Sequence, residues 1–262
     1  MKTPYFGTNT KMFKTPSEAC EHIRRLAELT RDIRDRMHLF VIPSYTSLPS
    51  AVSAAEGTGI CIGAQSMGWE ERGQLTGEIA PPMLKEIGVS LVMIGHSERR
   101  HVLHETDLDE EKRVSCAVRN GMKTLLCVGE TTEQKAYGIS EETVRTQLKV
   151  ALHSVTPEEA RTCLWIAYEP VWAIGTTGVP ATEQYAKRIH EVIRDTLNTL
   201  FGADIGPEIP ILYGGSVNNE NALRFIRQPE IDGLFIGRSA WDAENFNAII
   251  REALPLFEQC SK

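Results

Sequence analysis

Eight short apolar runs, rich in β-branched and aromatic residues, recur along this chain. They lie at residues 5–9, 39–43, 59–65, 90–95, 123–129, 163–169, 210–215 and 233–238. Between them lie amphipathic stretches with helical spacing, among them 16–37, 109–119, 142–154, 182–201 and 245–257. Near-continuous apolar strands alternating with helices predict a parallel sheet covered on its outer face by those helices. Eight such units in 262 residues match the size of one (β/α)8 barrel. A doubly wound open sheet is the alternative, but its first turn should carry GxGxxG, and Gly7-Thr8-Asn9-Thr10 does not. With no linker, low-complexity segment or recent repeat to divide the chain, residues 1–262 are expected to form a single barrel domain.

Composition narrows the classes of function. The chain is 42% hydrophobic and 24% charged, an ordinary globular balance. A net charge of −7 leaves no electrostatic footprint for nucleic acid or an anionic membrane, so neither is an expected partner. Attraction for an anionic small molecule has to be local. No apolar run is long enough to span a bilayer, and the start, MKTPYFGTNTK, lacks the apolar core of a signal peptide. The expected location is the cytoplasm. The six cysteines contain no CxxC pair. Three of them, Cys61, Cys127 and Cys163, fall in strand-like runs, where free cysteine behaves as a small hydrophobe.

Chemistry in a barrel gathers at the carboxyl ends of the strands. Reading those ends in order gives Asn9 and Lys11, Gln65, His96 with Ser97 and Glu98, Glu130, Glu169, Gly214-Gly215-Ser216, and Gly237-Arg238. Glu169 stands out, because an apolar run leads straight into it and Pro170 locks the chain behind it. A carboxylate held in a dry pocket is a stronger base than one in water. On the residues alone, that role and an ion-paired strand-end glutamate are about evenly matched. Lys11 supplies a cation, although most lysines are solvated. His96 precedes a predicted helix whose positive end disfavours imidazolium; a histidine bonded to backbone is the plainer reading. His101, His104 and Glu105 follow closely enough to allow a metal cluster, but the region matches no zinc spacing. Gly214-Gly215-Ser216 can present bare N–H groups to a phosphate, and a routine turn uses the same residues.

The motifs "IGHSERR" (94–100), "AYEPVWAIGT" (167–176) and "YGGSV" (213–217) resemble the signatures of the triosephosphate isomerase family. "GTNTKM" (7–12) is similar to its Asn-x-Lys strand end, with Thr10 where the family usually has Trp. The resemblance runs from the first strand to the last helix. It implies a cofactor-free, metal-free isomerase of small phosphorylated sugars. By the same resemblance Glu169 is the catalytic base, His96 the electrophile and proton shuttle, Lys11 the electrostatic clamp and Asn9 a hydrogen-bond donor. Ser97 and Glu98 support them. Gly175, Gly214, Gly215, Ser216, Gly237 and Arg238 would meet the phosphate. Residues 170–178, Pro170-Val171-Trp172 followed by 173–178, resemble the family's lid, which Tyr213 and Ser216 would latch when closed.

The loop 66–79 carries Met67, Trp69 and Leu75 without strand or helix periodicity, and exposed apolar residues on a loop usually cover something. Its segment "GQLTGE" (73–78) resembles the loop that each family subunit inserts beside its partner's active site, which implies a homodimer. Two features depart from the commonest family form. The lid is a residue longer, with Val-Pro at its second hinge, and the last strand ends Gly237-Arg238 rather than Gly-Gly. Together they resemble the paralogues that isomerise four-carbon erythrulose phosphates. The expected substrates are therefore the triose phosphate pair first and L-erythrulose 1-phosphate second. Two other classes stay open: a metal-dependent hydrolase using His96, His101 and His104, and a phosphate-binding barrel without catalysis.

Overall fold

The computed structural model describes residues 3–174, 178 and 180–260. Eight strands close into a barrel in sequence order: β1 (Tyr5–Asn9), β2 (His38–Ile42), β3 (Ile60–Ala64), β4 (Leu91–Ile94), β5 (Lys123–Val128), β6 (Leu164–Tyr168), β7 (Ile211–Tyr213) and β8 (Gly233–Ile236). Every neighbouring pair is parallel, and β1 pairs with β8 to close the ring. This is a (β/α)8 barrel, the architecture that the spacing of the apolar runs predicts.

Period-two alternation divides each strand between two cores. One set of side chains, including Phe40, Ile42, Met93, Leu125, Trp165 and Phe235, fills the barrel interior. The other set, including Phe6, Val41, Val92, Ile166 and Leu234, packs outward against the helices. Gly7 makes the interior possible at its narrowest point, since a Cβ there would lie 2.0 Å from the ring of Phe40. The next inward-facing positions after Gly7, Gly63, Ala167, Leu212 and Phe235 are Asn9, Gln65, Glu169, Gly214 and Gly237. The alternation that builds the core thus aims the last residue of β1 and the first residue past β3, β6, β7 and β8 into the mouth of the barrel.

The helices start where local chemistry places them. Thr15, Thr106, Thr131 and Thr156 each form a capping box with the residue three positions on. One predicted element is corrected. The periodic stretch 16–37 is not one helix: the helix Pro16–Leu29 ends at Thr30, and a short 3-10 turn covers Arg34–Arg36. Thr30 turns its hydroxyl back onto Leu26 O (2.8 Å). The chain then has to return to the foot of the barrel, where His38 pairs with Tyr5. Ile33 and Met37 keep the apolar spacing because they are buried along that return.

The loop 66–79 is also only partly as expected. Met67 is fully buried rather than exposed, and its carbonyl accepts from Arg113 Nε at 2.9 Å. The Arg113 guanidinium lies 4.8 Å from the ring centroid of Trp69, and Gly68 N donates to Ile79 O to close the neck. The neck therefore packs on its own chain, while residues 71–74 and Thr76-Gly77 at the tip are exposed. Among the described residues no helix is long and apolar enough to cross a membrane.

Candidate active site

A cavity of about 220 Å³ opens at the carboxyl ends of the strands. Asn9, Lys11, His96 and Glu169 line one side of it, and Gly214, Gly215, Ser216, Gly237 and Arg238 line the other. Residues spread across most of the chain meet there because each one ends or follows a barrel strand. Among the sequence-predicted residues, Gly175 lies outside the described residues.

Lys11 is held in an unusual way. Its φ of 51° puts a residue with a Cβ in the left-handed region, a conformation costing on the order of 1–3 kcal/mol that persists only where the surroundings enforce it. Two side chains do so here. Asn9 Oδ1 accepts from Lys11 N at 2.7 Å, and Gln65 Nε2 donates to both Lys11 O (2.7 Å) and Asn9 Oδ1 (3.1 Å). The ammonium then reaches Glu98 Oε1 at 2.6 Å, with the lysine side chain 20% exposed. The result is a cation at the rim of the cavity, restrained at backbone and tip.

His96 caps the helix Ser97–His101, and its Nδ1 accepts from Glu98 N at 3.2 Å. A nitrogen that accepts a backbone N–H carries no proton, so the proton of a neutral ring sits on Nε2. That Nε2 lies 3.5 Å from Glu169 Oε1. Arg100 braces the turn from below by donating to Gly95 O (2.7 Å) and Cys127 O (3.3 Å). Among the described residues, His101 and His104 do not join His96 in any group of three that could hold a metal ion.

Glu169 is 4% exposed, and its Oε2 has no hydrogen-bond partner. Its backbone continues the β5–β6 ladder through Glu169 N to Val128 O (2.8 Å), so the strand aims the side chain and the ladder holds it. Gly214 stands beside it: a Cβ there would lie 2.9 Å from Glu169 Cγ. Gly214 also spends its N–H on Tyr168 O (2.8 Å). It therefore lends the site its missing side chain and no donor. The N–H groups of Gly215, Ser216, Gly237 and Arg238 find no protein acceptor among the described residues. Four free donors on one wall suit an anion. Arg238 is exposed at the rim, and its guanidinium has no hydrogen bond or ion pair to any described residue.

Glu130 has a larger part than its place in the ring of strand ends suggested. It is fully buried, and its carboxylate accepts from Tyr168 Oη (3.0 Å), Trp172 Nε1 (2.8 Å) and Tyr185 Oη (2.8 Å). Glu130 holds the turn Val171–Ala173 twice, by its carboxylate on Trp172 Nε1 and by its backbone carbonyl, which accepts from Val171 N at 3.0 Å. The available signal was a glutamate at a strand end near an aromatic-rich segment. Its three donors come from 38 to 55 residues away. Tyr213 shows the opposite condition. It is fully buried, its hydroxyl has no partner, and burial chiefly pushes its ionisation well up.

A barrel that points a buried carboxylate, an imidazole with its proton on Nε2 and an ammonium into one cavity, opposite free backbone N–H groups, has the parts of an enzyme that moves protons on a small anionic substrate. Residues 4–253 match the sequence profile of the family described as triosephosphate isomerase. An L-erythrulose-1-phosphate isomerase of Rhizobium etli is 40% identical over 257 residues, 98% of this chain and 95% of its own length. The enzyme of that name from Mesorhizobium japonicum is 42% identical over 254 residues, 97% and 98% of the two chains. A triosephosphate isomerase of Caldanaerobacter subterraneus subsp. tengcongensis is 43% identical over 250 residues, 95% and 99%. The chain belongs to the triosephosphate isomerase family, and is a sugar-phosphate isomerase.

Proposed function

We propose that the protein interconverts short sugar phosphates by proton transfer through a cis-enediolate, with Glu169 as the base. The observation that carries this reading is the 3.5 Å approach of Glu169 to the protonated face of His96, in a cavity that Lys11 also lines. Glu169 takes a proton from the carbon beside the carbonyl. Electron density moves onto the carbonyl oxygen, where the Lys11 ammonium and the His96 Nε2–H stabilise it. His96 then passes a proton between the two oxygens, and Glu169 returns its own proton to the neighbouring carbon. The N–H groups of Gly215, Ser216, Gly237 and Arg238 hold the phosphate. Asn9 donates from Nδ2, since its Oδ1 is already engaged. The Tyr213 hydroxyl, beside Gly215 and without a partner among the described residues, is the group that would latch the lid, of which residues 175–177 lie outside the described residues. Closure excludes water and strengthens every charge in the site.

The triose phosphate pair, dihydroxyacetone phosphate and D-glyceraldehyde 3-phosphate, is the first reading of the substrate. A second, L-erythrulose 1-phosphate with D-erythrulose 4-phosphate, is favoured by Arg238, which adds an unpaired cation to the cavity wall. That substrate has the same phosphate–CH2–carbonyl head with one added hydroxymethyl group, so the same proton shift serves it. Side-by-side assays on dihydroxyacetone phosphate and L-erythrulose 1-phosphate decide between the two. No turnover of either would reject the isomerase mechanism as drawn. Arg238→Gly is expected to shift relative kcat/KM toward the triose by roughly 10–200-fold, the range that one contact in a pocket can supply. An unchanged ratio would remove Arg238 as a specificity determinant.

A homodimer is part of the same reading. The exposed tip of the 66–79 loop is one support. Another is a set of exposed apolar side chains beside the catalytic turns: Met12 at 91% and Phe13 at 66%, with Val102 at 67% and Leu103 at 59%. Sedimentation at micromolar concentration should give twice the 29.2 kDa chain mass, and a monomer there would reject the dimer.

A further inference from the structure

Pairing between β1 and β8 stops at Thr8 and Ile236. One residue further along β1, the carbonyl of Asn9 is met by an indole instead: Trp241 Nε1 donates to Asn9 O at 2.9 Å. Trp241 closes the turn that follows β8, because its own N–H donates to Arg238 O at 3.1 Å, next to Ala240 N on Gly237 O at 2.9 Å. Its ring packs against Phe13, with centroids 4.5 Å apart and planes at 36°. Phe13 N in turn donates to Thr10 O at 3.2 Å. The one indole therefore grips the β1 turn on both sides of Lys11, at Asn9 before it and at Phe13 after it. It also lines the cavity.

We propose that Trp241 is a positioning residue that ties the turn presenting the Gly237 and Arg238 N–H groups to the turn presenting Asn9 and Lys11. It thereby sets the span between the two ends of the bound substrate. The proposal rests on the sugar-phosphate reading above. Its physical basis is the strained Lys11 backbone, which persists only when neighbours over-determine it. Gln65 restrains that backbone from the β3 side and Trp241 from the β8 side. A ligand that touches only the phosphate wall should not sense the tether. A ligand charged at both ends should.

Trp241→Phe keeps a ring against Phe13 and deletes the Nε1–H donor. Inorganic phosphate engages one wall, whereas 2-phosphoglycolate carries a phosphate and a carboxylate at opposite ends. By calorimetry, Trp241→Phe should leave the dissociation constant of phosphate within about twofold and weaken 2-phosphoglycolate by about tenfold, as expected for one lost hydrogen bond that also loosens a charge. kcat should fall by at least a similar factor, with KM moving less. Phe13→Ala removes the ring partner of Trp241 and should act in the same direction with a smaller factor. Because Phe13 also belongs to the proposed dimer face, it is read at a concentration where sedimentation shows the wild-type oligomeric state, and it then decides the matter should Trp241→Phe not fold. Equal weakening of both probes would make the indole part of the phosphate wall alone. No change in either would make it simple packing. Each of those results overturns the tether. Wild-type protein that binds neither probe overturns the sugar-phosphate reading, and the tether with it.

Discussion

Glu169→Gln is expected to lower kcat by roughly 10²–10⁴-fold on whichever sugar phosphate the enzyme turns over, the usual contribution of a positioned general base. The change removes a charge and keeps the shape, so the buried position, the β5–β6 ladder and the packing beside Gly214 should all survive. KM should move little, because on the proposed reading the backbone N–H groups that hold the phosphate are untouched by the change. Glu169→Asp is the sharper control. It keeps the carboxylate but withdraws it by one methylene, and misplacement on the order of 1 Å can cost about 10²-fold. Turnover near that of the wild type in both variants would eliminate Glu169 as the base. The ladder bond from Glu169 N to Val128 O belongs to the backbone, so a loss of activity with unchanged thermal stability separates chemistry from folding.

Lys11→Met should be the other large effect. Methionine approximates the length of the stem and deletes the charge. Two unit charges about 4 Å apart at an effective dielectric near 20 interact by about 4 kcal/mol, which corresponds to roughly 10³-fold in rate. The loss should fall on both kcat and KM, since on the proposed reading the ammonium stabilises the enediolate oxygen and is also a cation in the cavity that an anionic substrate enters. Lys11→Arg keeps a cation but has to place a planar fork where Glu98 now meets a compact ammonium at 2.6 Å, so partial activity is expected. A folded Lys11→Met protein with wild-type kcat and KM would return Lys11 to the solvated surface.

Both predictions begin from residues that were readable before any tertiary contact was known, and the reason is geometric. A strand's alternation is local, so the runs 5–9 and 163–169 already showed that Asn9 and Glu169 share a face with the residues filling the barrel. The chain's ordering of eight strands with intervening helices left few topologies, and the carboxyl ends of the strands named the ring of polar groups. Helix starts were legible for the same local reason, as at Thr182, which caps the helix Glu183–Phe201 through Tyr185 N. The stretch 16–37 misled because burial kept its spacing after the helix had ended. Periodicity records which side is buried, and a turn lying against the core keeps that record.

What the chain determined by itself is the barrel, the strand ends that face its mouth, and the kinds of groups gathered there. These follow from hydrophobic periodicity and from side chains whose chemistry does not depend on distant neighbours. Tertiary structure alone decided the rest. Gly214 keeps no N–H for a ligand because Tyr168 O takes it. Met67 lies in the apolar core between barrel and helices, with its carbonyl satisfied by Arg113 from 46 residues away. The protonated nitrogen of His96 is settled by the N–H of Glu98. Trp241 holds Asn9 from 232 residues away. Hydrogen bonds are short-ranged and directional, so which donor meets which acceptor is decided only when the closed barrel brings together groups that no local pattern relates.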